Sequence, residues 1–190
     1  MKSPIAVIIL TYNEELNIER CLQSIADLAD EIFIVDSYST DGTAQIAKRY
    51  GAKIVEHPFE NQARQFNWAL DDLDIKAEWI LRLDADEYLL SELKQEIRDL
   101  LVNGNIRVNP RIDPREAAPT NGYYIKRRVY FMGRWIKHGG YYPIWILRLW
   151  RKGKARYEER EVDEHAVLIE GKTAWLRHDF VDENRKKLEW

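Results

Sequence analysis

In Trp79-Ile80-Leu81-Arg82-Leu83-Asp84-Ala85-Asp86-Glu87 an apolar run with the pattern of a strand ends in three carboxylates within four residues. Mg²⁺ and Mn²⁺ prefer oxygen ligands, and Mg²⁺ typically uses one or two carboxylates together with substrate phosphates. A strand that delivers acids at its carboxyl end can therefore hold a hard cation against phosphate oxygens. An isolated Asp-X-Asp is more often a solvated acidic turn, so the meaning of this one depends on its surroundings.

Upstream, strand and helix patterns alternate. Ile5 to Leu10 is a continuous apolar run, as in a strand buried on both faces of a parallel sheet. Ile18, Cys21, Leu22 and Ile25 follow at helical spacing and predict a helix over Glu15 to Asp27. Ile32 to Val35 reads as a second buried strand, Thr43 to Tyr50 as a short helix, Lys53 to Glu56 as a third strand and Gln62 to Leu70 as a third helix. Trp79 to Leu83 is then the fourth strand. This order predicts an α/β fold built on a doubly wound, mostly parallel sheet.

Downstream the periodicity changes. Leu93, Ile97, Leu100 and Leu101 predict one more helix, and Asn103 to Asn121, with three prolines, one glycine and few apolar residues, reads as a flexible loop or insertion. Tyr123 to Phe131, Ile144 to Trp150 and Ala166 to Ile169 read as strands of a smaller mixed or antiparallel region, and a charged helix is expected from Asp182. We read residues 1–190 as a single domain with a first half at 1–102, a loop at 103–121 and a second half at 122–190.

The net charge of −3 conceals an asymmetry. Residues 1–100 carry 10 Lys and Arg against 20 Asp and Glu, whereas residues 101–190 carry 19 against 12. An acidic first half suits a cation site, and a basic second half suits an anionic acceptor or peripheral contact with a membrane surface. Five of the seven tryptophans also lie in the second half, which separates the two halves in chemistry as well as charge. Nothing in the composition points to nucleic acid. No apolar run is long enough to span a membrane, and the single Cys21 excludes an internal disulfide, so a cytoplasmic location is expected.

In doubly wound sheets, ligands bind outside the carboxyl ends of the strands. Thr11-Tyr12-Asn13-Glu14, Asp36-Ser37-Tyr38-Ser39 and Asp84-Ala85-Asp86 are the polar clusters at such ends, and together they would form one crevice. Tyr12 can stack on a planar base, and Asp36 can accept from a base N–H or a ribose hydroxyl. Asp84 and Asp86 lie on one side of their turn, one toward sugar or ribose and one toward metal. Arg64 is within reach of phosphate, and Asn67 shares its helical face. No Gly-rich phosphate loop occurs, so cation and basic side chains must neutralise the phosphates.

Leu10-Thr11-Tyr12-Asn13-Glu14-Glu15, Val35-Asp36-Ser37-Tyr38-Ser39-Thr40-Asp41-Gly42-Thr43, Ala63-Arg64-Gln65-Phe66-Asn67-Trp68-Ala69-Leu70 and Leu83-Asp84-Ala85-Asp86-Glu87 resemble, in order and spacing, the family 2 glycosyltransferases. The resemblance implies a GT-A fold, a nucleotide-diphosphate sugar donor, a divalent cation (Mg²⁺ or Mn²⁺) and inversion at the anomeric carbon. It implies that Thr11, Tyr12, Glu14 and Asp36 hold base and ribose, and that Asp86 is the more direct metal ligand of the Asp84–Asp86 pair. Gly122-Tyr123-Tyr124, Phe131-Met132-Gly133, His138-Gly139-Gly140-Tyr141-Tyr142-Pro143 and Arg148-Leu149-Trp150-Arg151 resemble the bacterial subgroup that builds lipopolysaccharide cores, including core β-glucosyltransferases. That likeness implies a glycan or glycolipid acceptor at the inner face of the cytoplasmic membrane, with a UDP-sugar as the first donor to consider. It also implies a carboxylate base for which Glu164 and Asp163 compete, Glu164 being favoured by the match, and a metal-ligating histidine at His178.

Two other classes compete. A sugar-phosphate nucleotidyltransferase would also set carboxylates at a sheet edge, but would carry a Gly-rich basic loop after the first strand, unlike Thr11 to Glu15. A non-catalytic nucleotide-sugar or glycan-binding module would not need an intact set of acids. Members of the subgroup continue past the point matching Trp190, so the C-terminus reads as shortened.

Overall fold

The computed structural model describes residues 4–103, 119–158 and 165–186. Its first half alternates as the hydropathy dictates. The strands are β1 (Ile5–Thr11), β2 (Glu31–Asp36), β3 (Lys53–Glu56) and β4 (Trp79–Asp84), and the helices between them are α1 (Ile18–Ile25), α2 (Thr43–Arg49) and α3 (Gln62–Asp72). All four strands pair in parallel, in the order β3-β2-β1-β4. Register puts Thr11 beside Asp36 and Leu10 beside Asp84, so the polar strand ends lie along one edge of the sheet.

After β4 come a short β5 (Glu87–Leu89), α4 (Ser91–Asn103), β6 (Thr120–Phe131), β7 (Arg134–Trp135), β8 (Ile144–Arg151), β9 (Ala155–Tyr157), β10 (Ala166–Leu168) and β11 (Lys172–Asp182). The sheet continues past β4 as β8-β6-β11-β5, with β8 antiparallel to both β4 and β6. The mixed half therefore extends the parallel half through shared hydrogen bonds. β9 and β10 form a separate antiparallel pair.

The strands are apolar on both faces because both faces are covered. Ile5, Val7 and Ile9 pack with Ile18, Leu22 and Ile25 of α1 and with Leu93 and Ile97 of α4. Ala6 and Ile8 face the other way, toward Phe66 and Ala69 of α3 and Trp150 of β8. Each fully buried Ile, Leu or Phe stabilises by about 1.5–3 kcal/mol relative to exposure. No helix among the described residues is long and apolar enough to cross a membrane.

Several sequence expectations are corrected. The helix expected over Glu15 to Asp27 is shorter, Ile18–Ile25, and residues 15–17 lead into it as a turn in which the amides of Asn17 and Ile18 donate to the Glu14 carbonyl. β11 was not expected, since Lys172, Arg177, His178 and Asp179 interrupt its apolar pattern. Its inward positions nevertheless alternate at Ala174 and Leu176 before the register shifts against β6. The helix expected from Asp182 does not start there: β11 ends at Asp182, and residues 183–186 run on without helical form. Most of the expected loop at 103–121 lies outside the described residues.

Candidate active site

Two loops at the carboxyl edge hold each other in place. Thr11 Oγ1 donates to Asp36 Oδ1 (2.6 Å), Ser39 Oγ donates to the same oxygen (2.6 Å), and Ser39 N donates to Asp36 Oδ2 (2.7 Å). Asn13, at φ 53°, donates its amide to Ser39 Oγ and accepts from Thr40 N through its side chain. A carboxylate has about four acceptor positions, so buried Asp36 keeps capacity for an outside donor after fixing the loop. Tyr12 stands beside it with its ring exposed.

The acidic turn is asymmetric. Asp84 bridges two buried arginines: Arg82 Nη2 donates to Oδ1 (2.8 Å) and Arg148 Nη2 to Oδ2 (3.1 Å). Arg82 and Arg148 lie on paired strands one step beyond the Leu81–Leu149 pairing. Arg148 also binds buried Glu87, whose Oε2 accepts from Asp84 N (2.9 Å). Burial opposes ionisation of Asp84, but Arg82 and Arg148 overcome it and hold its carboxyl at about 2. Arg82 is further tied to Gln62 and to the Tyr157 hydroxyl.

Asp86 has no such compensation. Burial and the charges of Asp182, Asp84 and Glu14 push its carboxyl up to about 6. Its one side-chain hydrogen bond among the described residues comes from Asn184 Nδ2 (3.0 Å). Residues 183–186 cross the turn at this point. Glu183 N donates to the Asp86 carbonyl, Arg185 N donates to Asn17 Oδ1, and Lys186 pairs with Glu14 beside the Tyr12 carbonyl.

Next to Asp84 opens a cavity of about 600 Å³ whose walls include Gln62, Arg82, Tyr124, Trp145, Tyr157 and His165. The cavity lies between the parallel half and the β6–β8 region, where basic and aromatic residues concentrate.

The structure thus brings Thr11, Tyr12, Glu14, Asp36, Asp84 and Asp86 to one edge. It does not bring the others there. Asn67, expected to face phosphate, is buried against β9, donating to the Tyr157 carbonyl and accepting from Tyr157 N at 2.9 Å each. Arg64 is exposed and pairs with Glu60 one turn earlier on the chain (2.6 Å). His178 sits four residues before Asp182 on β11, roughly 13 Å along an extended strand. Its Nδ1 lies 2.8 Å from Glu96 Oε2 of α4, and that carboxylate also receives the amides of Arg177 and His178. Asp182, not His178, is the β11 residue beside the acidic turn, where it pairs with Glu87 of β5. Among the described residues no three His, Cys, Asp or Glu side chains converge on a metal position. Asp163 and Glu164 lie outside the described residues.

Arg82, Arg148, Glu87 and Asp182 were not expected at the site. A signal for the arginines was present: Ile80-Leu81-Arg82-Leu83 and Ile146-Leu147-Arg148-Leu149 are the same four residues twice. An arginine inside a fully apolar strand must find a carboxylate, because an unpaired buried charge is prohibitive.

The family model for "Glycosyl transferase family 2" matches residues 6–184. The chain belongs to glycosyl transferase family 2. Within family 2 it is 31% identical over 180 residues to the lipopolysaccharide core biosynthesis glycosyltransferase LpsC of Rhizobium meliloti, covering 90% of this chain and 59% of that protein. It is 42% identical over 101 residues to an uncharacterized glycosyltransferase of Rickettsia bellii, covering 53% of this chain and 34% of that one. The chain thus spans between about a third and three fifths of the length of these curated relatives. Among solved structures, S. aureus TarS 1-349 superposes with a TM-score of 0.61 at 19% identity, over 96% of this chain and 60% of that one, and TarS has also been solved in complex with UDP. The fold is therefore GT-A, as the family resemblance implied.

Proposed function

We propose that this chain acts as an inverting, metal-dependent glycosyltransferase on a nucleotide-diphosphate sugar. Its acceptor in this reading is a cell-surface glycan or lipid-linked glycan of the lipopolysaccharide-core type, met at the inner face of the cytoplasmic membrane. The similarity to LpsC over most of the chain supports the acceptor class, and the fold shared with UDP-bound TarS makes a UDP-sugar the first donor to test.

The observation that carries the reading is the contrast between Asp84 and Asp86. Asp84 is neutralised by two arginines, while Asp86 faces other carboxylates and is short of positive charge. That donor set fits a hard cation that takes one or two carboxylates and completes its shell with phosphate oxygens. Asp86 would hold it, with Asp182 and Glu14 adding negative potential nearby. Bound there, such a cation supplies Lewis-acid stabilisation of the departing diphosphate.

The chain's own residues do the rest. Tyr12 offers a stacking face for the base, and Asp36, held by Thr11 and Ser39, accepts from base or ribose. Arg82 and Arg148 fix Asp84 in a single rotamer at the cavity wall, where its orientation sets the position of the donor sugar. A base on the acceptor side must take the proton from the attacking hydroxyl, and attack opposite the diphosphate inverts the anomeric centre. We assign that base to Glu164, with Asp163 as its neighbour. The support is that His165, adjacent in the chain, lines the same cavity as Asp84.

The test is a panel of nucleotide sugars with Mn²⁺, reading release of nucleoside diphosphate. Release from one sugar nucleotide supports transfer. Pyrophosphate formation would indicate a nucleotidyltransferase, and neither binding nor turnover of any donor would overturn the reading. A positioned general base contributes about 10²–10⁴-fold. Glu164→Gln is therefore expected to lower turnover by that range with donor affinity intact, and full activity in this variant would refute the assignment.

A further inference from the structure

β6 and β7 form a hairpin in which Phe131 pairs with Arg134 across the turn Met132-Gly133. Both turn residues have positive φ, 49° at Met132 and 72° at Gly133. Two-residue hairpin turns of this kind favour Asn or Asp before glycine, and an unbranched apolar residue gains nothing from the backbone there. Met132 is nevertheless 82% exposed at the tip, and Phe131 beside it is 51% exposed. Trp145 and Tyr141 add exposed aromatic surface on the neighbouring β8 segment.

The chain segment that carries this apolar tip is basic. Residues 119–151 contain seven Lys and Arg and no Asp or Glu. Lys126 and Arg128 are matched by buried Asp179, and Arg127 faces Asp182 at 3.7 Å. Arg134 and Lys137, flanking the turn, have no acidic partner among the described residues, and Lys137 Nζ lies 4.4 Å from the centre of the Trp135 ring. An apolar tip with an aromatic and cationic collar matches the boundary between lipid headgroups and acyl chains.

The hairpin's direction ties it to the active site. β8 is antiparallel to both β4 and β6, so β6 runs the same way as β1, β2 and β4 and leaves the sheet at the edge that bears Asp36 and Asp84. Tyr123 and Leu81 are level through Leu149. At about 3.3 Å per residue, Phe131 lies roughly 15 Å beyond Asp84 along that direction. Arg127 and Trp145 of the cavity wall lie on the same two strands between them.

We propose that the β6–β7 hairpin is a docking surface for an anionic lipid bilayer. Phe131 and Met132 enter the headgroup boundary, Arg134 and Lys137 meet lipid phosphates, and the cavity beside Asp84 is held toward the membrane. The docking deepens the reading of a lipid-linked acceptor and rests on it for its purpose, but not for the binding itself.

The test is flotation of the full chain with vesicles of equimolar phosphatidylglycerol and phosphatidylcholine, against phosphatidylcholine alone. Binding is expected only to the anionic vesicles and is expected to weaken with added salt. Juxtamembrane basic residues contribute about 1 kcal/mol each, so Arg134→Gln with Lys137→Gln should weaken partitioning roughly thirtyfold. Met132→Asn with Phe131→Ser should also weaken it while leaving thermal stability unchanged, because asparagine suits the turn. No binding to anionic vesicles, equal binding to neutral ones, or variants that bind like the parent would overturn the proposal. Release of nucleoside diphosphate without vesicles is read in parallel. A protein that floats but never releases diphosphate keeps the docking surface and refutes the transferase reading instead.

Discussion

Arg148→Met destabilises the protein by about 3–5 kcal/mol, the range for removing one partner of a buried ion pair. Arg148 is the shared counter-charge of Asp84 and Glu87, and its removal leaves two carboxylates with Arg82 as the remaining cation beside them. The melting temperature should fall by roughly 6–20 °C, at about 2–4 °C per kcal/mol for a chain of this size. The effect should depend on pH. In the parent, Asp84 titrates near 2, below its ordinary value of 3.8, so its contribution is present above about pH 4 and lost as pH falls through about 2. Without Arg148 that contribution shrinks, and the deficit should be largest at neutral pH and smallest in acid. Adding Glu87→Gln to Arg148→Met should recover part of the loss, since glutamine can still accept from Asp84 N without a charge. A single variant within 1 kcal/mol of the parent at pH 7, or a double variant no better than the single, would show that the triad does not hold this part of the sheet together.

Asp86→Asn acts in the opposite direction on stability and removes function. A metal ion's stabilisation of developing charge amounts to several kcal/mol, so loss of its ligand should lower kcat/KM by about 10³–10⁴-fold. Titration calorimetry should then show donor affinity no longer linked to Mn²⁺. The folded protein should meanwhile become more stable. Asp86 titrates at about 6, above its ordinary 3.8, because burial, Asp182, Asp84 and Glu14 disfavour its charge. A raised carboxylate is harmless below about pH 4 and costs stability as pH rises through about 6. The shift corresponds to a ceiling of about 3 kcal/mol, and solvent screening at a crevice lowers this to about 1 kcal/mol. In the presence of chelator, Asp86→Asn should therefore melt above the parent at pH 8 and level with it at pH 4. Equal melting at pH 8 would mean the acidic turn carries no stored repulsion, and retained Mn²⁺-linked binding would remove Asp86 from the metal position. A residue that weakens the fold it sits in is the usual signature of a site kept for chemistry.

The chain's local patterns determined much of this. Four apolar runs separated by amphipathic stretches specify a parallel sheet covered on both faces, because strands buried on both sides must be apolar throughout. The acids at their ends mark the carboxyl edge, since carboxylates cannot remain inside such strands without partners. Thr11, Asp36, Asp84 and Asp86 were legible for that reason. The tertiary structure alone decided which acid is neutralised and which is not. Arg148 stands 64 residues from Asp84 and reaches it only because β8 inserts antiparallel beside β4. Asn67 and His178 illustrate the same limit, as both lie on residue patterns suited to ligands. Asn67 is taken up by the Tyr157 backbone and His178 by Glu96, through contacts that span 90 and 82 residues. Periodicity reports which face of an element is buried. Which charges meet there is set by long-range register, and no local run of residues encodes it.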